Sequence, residues 1–122
     1  MRGYEEIDGL KAVCLEDSWV LGVYESDDSL SFDLETVLTR RHPDWEPPKP
    51  GEVHCYKHMA LTFLRVHDVE WLERGTRPAT DATGEADWGH IDTFAAADGR
   101  YELTGDWGRV RFSADEPQFR AR

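Results

Sequence analysis

The sequence predicts an all-β domain, either a mostly antiparallel β-sandwich or a small barrel. Three observations favour this fold class: about seven or eight short segments rich in β-branched and aromatic residues, turn signals at close spacing, and no long amphipathic helical pattern. A chain of 122 residues, 39% of them hydrophobic, can bury one core without disulfides. Residues 1–122 are therefore expected to form a single domain, frayed at about 1–6 and 115–122.

The N-terminal part predicts two strands and a turn. Residues 7–15 carry a mixed apolar pattern that favours a first strand, and residues 19–24 (WVLGVY) favour a second. Asp17 and Ser18 between them form a turn signal. Gly22 inside the second segment indicates a bulge or a close backbone approach.

The next segment leaves one alternative open. Residues 29–34 alternate between apolar and polar side chains, as a half-buried strand does. Residues 35–41 fit either a continuation of that strand or one short helix near 34–41, which would end before Pro43.

A proline-rich loop then leads into the most strand-like part of the chain. This loop, residues 42–51, holds four of the six prolines and is expected to be stiff. Residues 51–72 follow as a central strand or strand pair, with a break at His67 and Asp68. Apolar side chains on both faces of residues 59–66 indicate a strand covered on two sides.

The C-terminal part predicts a long loop and then a meander. Residues 74–89 carry no periodic apolar face, and a connection of this length is usually mobile or functional. Residues 91–97 predict a strand, and Asp98-Gly99 is a strong hairpin signal. Two further strands are expected on either side of a tight turn at residues 105–108.

Composition and charge narrow the classes of partner. The formal net charge is −11, with 25 acidic and 14 basic side chains. Such a charge repels nucleic acid and anionic membrane and favours a basic protein partner. We therefore expect binding to a basic protein or self-association as a dimer, and neither nucleic acid nor membrane binding.

The two cysteines indicate a reducing compartment. Cys14 and Cys55 have neither a C-x-x-C spacing nor the dense framework of small secreted proteins. The first residues lack an apolar signal-peptide core, and no stretch reaches the length of a membrane span. These features predict a cytoplasmic protein with two buried thiols.

Histidines suggest one metal hypothesis. His54 and His58 lie in the central stretch and His42 lies upstream, and imidazole is a ligand that Zn²⁺ prefers. On a regular strand His54 and His58 share a face but stand roughly 13 Å apart, too far for one ion unless the segment turns between them. A metal- or small-ligand-binding domain that uses these residues is the alternative function.

Catalytic motifs are absent from the sequence. There is no G-x-S-x-G elbow, Walker loop, G-x-G-x-x-G or H-E-x-x-H. A nucleophilic pair of Cys14 or Cys55 with His67 or His90 has no spacing to recommend it. We expect no catalytic residues and no cofactor.

Tryptophans on loops suggest a recognition surface. Trp45, Trp88 and Trp107 lie on predicted loops, whereas Trp19 and Trp71 lie in predicted strands and are expected in the core. Loop aromatics suit interfaces because they bury large areas at low entropic cost. If the three loops gather at one end of the sheets, these residues form an aromatic patch with an acidic rim, which comprises Asp44, Glu46, Asp87 and Asp106. The alternative is that each tryptophan folds back and closes an end of the core.

Four segments together carry a resemblance to a known kind of domain. They read FDLETVL, HPDWEPPKP, CYKHMALTF ending at VEWL, and the HIDTF…GRYELTGDWGRVRF meander. Over residues 25–112 the chain resembles small uncharacterised bacterial β domains, some of them of the immunity-protein type. The resemblance implies a compact β domain that binds a partner protein without catalysis, and it assigns no site residues.

Overall fold

The computed structural model describes residues 2–7, 9–74, 79–80 and 86–121, and it confirms the all-β sandwich. Apart from one 3-10 turn at Tyr4–Glu6, these residues form no helix. Two antiparallel sheets pack face to face, so the small barrel is not the architecture. The strands are β1 (Arg2–Gly3), β2 (Val13–Glu25), β3 (Ser29–Leu38), β4 (Cys55–Leu64), β5 (His67–Arg74), β6 (Ala79–Thr80), β7 (Ala86–Asp87), β8 (Ile91–Ala97), β9 (Arg100–Gly105), β10 (Gly108–Ser113) and β11 (Gln118–Ala121).

The strand orders define the two layers. One sheet runs β1-β8-β9-β10-β5, in which β1 is a two-residue edge, and the other runs β11-β4-β3-β2. The core lies between them and is aromatic at its centre. The ring of Phe63 has its centroid 4.8 Å from that of Phe112, 5.0 Å from that of Tyr101 and 6.0 Å from that of Phe94.

Strand β2 joins two segments that the sequence separates. It runs from Val13 to Glu25 without a turn, and the predicted turn at Asp17 and Ser18 is an irregularity in its pairing with β3. The Ser18 hydroxyl fills this irregularity because it donates to the carbonyl of Cys14 (2.6 Å) and accepts from the backbone N–H of Val37 (2.9 Å). The predicted first strand at 7–15 therefore exists only from Val13 onward.

Strand β3 settles the alternative at residues 35–41. The strand continues to Leu38, and the short helix near 34–41 does not form. Its pairing with β4 explains why, since ten consecutive residues of β3 stand opposite β4 in unbroken register from Ser29 to Leu38. The inner face that begins at Leu30 thus continues along the strand, with Leu30, Phe32, Leu34 and Thr36 fully buried, while Asp33 and Val37 on the other face are buried as well.

The central stretch becomes two strands in different sheets. Strand β4 belongs to the four-stranded sheet and β5 to the opposite one. The chain turns at Arg65, whose φ is 52°, and buried Val66 holds the crossing. The break therefore comes just before the predicted position, since His67 and Asp68 already begin β5. Residues 55, 59, 61 and 63 form the buried face of β4 as the parity of the sequence predicts.

The C-terminal meander follows the prediction closely. Strand β8 spans Ile91–Ala97, and Asp98 and Gly99 both have positive φ values of 51° and 77°. Two positive φ values match the type I′ turn, whose twist suits a two-residue hairpin. Strands β9 and β10 then close around Asp106 and Trp107, with Gly105 paired to Gly108.

Both chain ends pair with a sheet, where the polar sequence predicts fraying. Arg2–Gly3 pairs with β8, and Gln118–Ala121 pairs with β4. Tyr4 is buried against Phe94, and Phe119 packs partly against the core. One aromatic side chain at each end supplies an attachment that composition alone does not reveal.

The predicted long loop at 74–89 lies partly outside the described residues. Its described parts include β6 and β7, which pair with each other. Strand β5 occupies position 74, and Trp88 follows β7.

Candidate functional site

Trp107 does not belong to a surface patch. Its side chain is 2% exposed, with its ring centroid 5.0 Å from that of Phe32 and 6.2 Å from that of Trp71. Its indole N–H donates to the carbonyl of His90 (3.1 Å). The prediction that Trp107 contacts a partner is wrong because this residue is part of the core.

Gly105 explains why a tryptophan in a turn folds inward. A side chain at position 105 would collide with the indole of Trp107 and with the carbonyl of His90. The absence of a Cβ lets the ring fold back over the strand. Asp106 stays exposed on the same turn, and its carboxylate lies over Gly89. Gly105 therefore permits both the turn and the inward position of the Trp107 ring.

Trp45 and Trp88 each keep part of their surface exposed. Both are partly buried and packed against the core. Neither cleft that contains Trp45 includes Trp88 or Trp107 among its described lining residues. The predicted patch of three tryptophans is therefore not formed, and Trp45 defines the strongest remaining site.

The proline-rich loop holds Trp45 in a fixed position. The backbone N–H of His42 donates to the carbonyl of Thr39, and that of Trp45 donates to the carbonyl of His42, each at 3.0 Å. The backbone N–H of Asp44 donates to Nδ1 of His42 (3.0 Å). The backbone N–H of Glu46 donates to Sγ of Cys55 (3.4 Å). Successive tight turns and four prolines thus limit the conformations open to the loop.

The first cleft, on the β4 side of Trp45, has a volume of about 550 Å³. The loop contributes Asp44, Trp45 and Glu46, and β4 contributes Lys57, His58 and Met59. Lys57 Nζ lies 3.1 Å from a carboxylate oxygen of Glu46, and this contact raises the pKa of the lysine. An aromatic wall, two carboxylates and the ammonium group of Lys57 therefore share one opening.

The second cleft lies on the β2 and β3 side of the same tryptophan and has a volume of about 370 Å³. Arg40 lines it, and its guanidinium carbon lies 5.4 Å from the centroid of the Trp45 ring. Asp17 and His54 also line this cleft. We call the two clefts and the tryptophan between them the Trp45 surface.

Both cysteines border the second cleft as free thiols. Cys55 is buried as predicted, whereas Cys14 is only half-buried. Burial raises the pKa of the Cys14 thiol to about 11, and hydrogen bonds from the thiol to the carboxylates of Asp17 (3.4 Å) and Glu16 (3.5 Å) act in the same direction. The thiol therefore stays protonated at neutral pH, which makes it a poor nucleophile.

The candidate metal ligands are not brought together. His58 is exposed and lines the first cleft, His54 lines the second, and His42 accepts the hydrogen bond from Asp44. Across the described ranges, no group of three or more His, Cys, Asp or Glu side chains has the spacing to hold a metal ion. Extended backbone from Cys55 onward keeps His54 and His58 apart, as strand geometry predicts in the absence of a turn.

The histidines proposed for a nucleophilic pair have other partners. Nδ1 of His90 lies 2.6 Å from the carbonyl oxygen of Ser18, to which it donates. Nδ1 of His67 lies 2.9 Å from the carbonyl oxygen of Arg65. Both rings are thus oriented by backbone carbonyls, and neither makes a described hydrogen bond to a thiol.

Sequence reasoning missed the exposed aromatics of β2. Trp19 is 41% exposed, although its place in a strand predicts burial, and its ring centroid lies 4.2 Å from that of His90. A bulge at Leu21 lets both Trp19 and Tyr24 face outward, although residues five apart on a regular strand point to opposite faces. Gly22 predicts this bulge from the sequence, but it does not predict which side chains of β2 face outward.

The fold and the Trp45 surface together define a small β-sandwich with paired clefts around a loop tryptophan. No protein-family model, curated protein or solved structure matches the chain. In the part of the chain that the structure describes, no helix is long and apolar enough to cross a membrane.

Proposed function

We propose that this protein is a non-catalytic binding module that holds a basic partner protein on the Trp45 surface. The observation that carries the proposal is the position of Trp45. A half-buried indole stands between two clefts, and the carboxylates of Asp44 and Glu46 line the larger one. An aromatic anchor next to negative charge suits a partner that presents cationic side chains on an apolar surface.

The rigidity of the proline-rich loop supports this proposal. Binding costs conformational entropy wherever side chains or loops must be ordered, and a loop that is already fixed avoids most of that cost. Trp45 is fixed through its own backbone hydrogen bond and through the contacts of Asp44 and Glu46. The indole can therefore contribute contact area to a partner without first being ordered.

The overall charge supports a basic partner in particular. The chain carries a formal charge of −11, and ion pairs such as Lys57–Glu46 and Arg74–Glu25 leave that total unchanged. A field of this sign speeds the encounter with a cationic protein and disfavours anionic ones. The resemblance to immunity-type domains suits such a role. Two free cysteines suit a cytoplasmic location.

The proposal is tested with a defined cationic probe. A short peptide of alternating Arg, Lys and Gly residues is titrated into isotopically labelled protein, and amide and indole N–H shifts are followed by NMR. The shifts are expected to concentrate on residues 44–46 and 57–59. The dissociation constant is expected to rise by about tenfold between about 0.02 M and 0.3 M salt, because the Debye length falls from roughly 20 Å to 6 Å.

A neutral peptide in which Gln replaces Arg and Lys is the matched control, and it should cause little shift at any salt concentration. Shifts spread evenly over the acidic surface, or an affinity insensitive to salt, would contradict the proposal.

A further inference from the structure

Trp45 already binds a guanidinium group of its own chain. The guanidinium carbon of Arg40 lies 5.4 Å from the ring centroid, within the range of about 6 Å in which a cation is attracted to an aromatic face. Arg40 lines the second cleft and is not among the described residues that line the first. The indole is therefore used as a platform for a guanidinium from the side of the second cleft.

The first cleft also offers the indole and adjacent carboxylates to a guanidinium, but none of its described lining residues is an arginine. The indole forms one wall, and Pro43 adds exposed apolar surface that can cover part of an aliphatic stem. Asp44 and Glu46 flank the indole in sequence and supply carboxylates to the same opening. Its volume of about 550 Å³ is ample for one long side chain.

The two carboxylates of this cleft, Asp44 and Glu46, differ in whether they already form an ion pair. Glu46 is paired with Lys57, whose side chain is 37% exposed. Among the described residues, no side-chain donor is hydrogen-bonded to the carboxylate of Asp44. Asp44, which interacts with Lys57 only through charge, can therefore receive an incoming cation without breaking a described side-chain hydrogen bond, and Glu46 shows that the cleft accommodates a bound cationic group.

The chemistry of the two basic side chains favours arginine over lysine at this position. A guanidinium is planar and weakly hydrated, so that it stacks on an indole and donates two parallel hydrogen bonds to one carboxylate. An ammonium is a compact, strongly hydrated charge that does not stack in this way. A site built from an indole face and an adjacent carboxylate uses both properties of the guanidinium.

We propose that the first cleft is an arginine-selective subsite, in which a partner's guanidinium stacks on the Trp45 ring and pairs with the carboxylate of Asp44. This inference rests on the proposed function and adds the residue type that the partner presents. It predicts selectivity between two side chains of equal charge, which a general electrostatic attraction does not produce.

The test compares three peptides of identical length that carry arginine, lysine or citrulline at the same positions. Each is titrated into the wild-type protein at low salt, with the Trp45 indole N–H as the NMR readout. The arginine peptide is expected to bind about fivefold more tightly than the lysine peptide, since the guanidinium both stacks on the indole and forms a bidentate pair with the carboxylate. Citrulline, planar but uncharged, is expected to bind far more weakly than either.

The outcomes separate this inference from the function on which it rests. Equal affinities for arginine and lysine, with shifts at Trp45, would overturn the selectivity and leave the binding of a basic partner standing. Absence of binding by both cationic peptides would overturn both. Asp44→Asn is expected to reduce the preference for arginine to about twofold or less, and an unchanged preference would exclude the pairing with Asp44.

Discussion

Arg40 and Trp45 stand face to face in the same structure, with 5.4 Å between the guanidinium carbon and the ring centroid. This pair anchors the indole to the chain just after β3, and the same tryptophan also lines the first cleft. The loop tryptophan is thus supported from within the chain and still available to a partner. Support and availability are the two properties that an interface anchor requires.

The burial of Trp107 and the exposure of Trp19 predict different costs for the same substitution. Trp107→Ala removes a ring from the core and is expected to lower the free energy of unfolding by about 3–5 kcal/mol. Trp19→Ala removes a 41% exposed ring and its contact with His90, and is expected to cost about 1 kcal/mol or less. Urea denaturation of both variants measures the difference. Equal losses would show that the inward position of Trp107 is wrong.

Alkaline pH is expected to weaken the attachment of the N-terminal segment. The Tyr4 hydroxyl donates to a carboxylate oxygen of Glu16 (2.5 Å). Burial is the larger cause and this hydrogen bond the second cause that together raise the pKa of the phenol well above its ordinary value of 10.0. The Cys14 thiol beside it has its pKa raised from 9.0 to about 11, chiefly by burial. Both groups are therefore protonated in the folded protein over a pH range in which the unfolded chain ionises.

The sign of the pH effect follows from these two shifts. A raised pKa in the folded state contributes stability that is complete below the unfolded pKa and is lost as the pH rises through the folded one. The free energy of unfolding is thus expected to fall from about pH 9 upward. Tyr4→Phe keeps the ring and removes the ionising hydroxyl, so its curve should fall less steeply above pH 10 than that of the wild type. Parallel curves for the two proteins would contradict the role assigned to Tyr4.

The sequence predicts well those features that depend on local pattern. The alternation from residue 29, the parity of residues 55–63 and the Asp98-Gly99 turn all lead to the observed strands and hairpin. Each depends on a few neighbouring residues whose backbone geometry or face is set by their own chemistry. These signals are enough to assign the all-β fold class.

Features that depend on distant contacts are not predicted. Trp107 lies in a turn and is buried, while Trp19 lies in a strand and is exposed, which is the reverse of the expectation from their local setting. The position of Trp107 depends on Gly105 and on the carbonyl of His90, and that of Trp19 on a bulge against β3. The clefts beside Trp45 likewise form only when β4 and the proline-rich loop come together.

The central claim is that a basic partner binds at Asp44 and Glu46 rather than to negative charge in general. The most direct measurement compares the double variant Asp44→Asn/Glu46→Gln with Asp27→Asn/Asp28→Asn, which removes equal charge from the exposed β2–β3 turn at the opposite end of the β3–β4 ladder. Titration with the mixed basic peptide at low salt is expected to give at least about a fivefold weaker affinity for the first variant and less than about a twofold change for the second. Equal weakening in both variants would contradict the claim, because it would show that the peptide responds only to net charge.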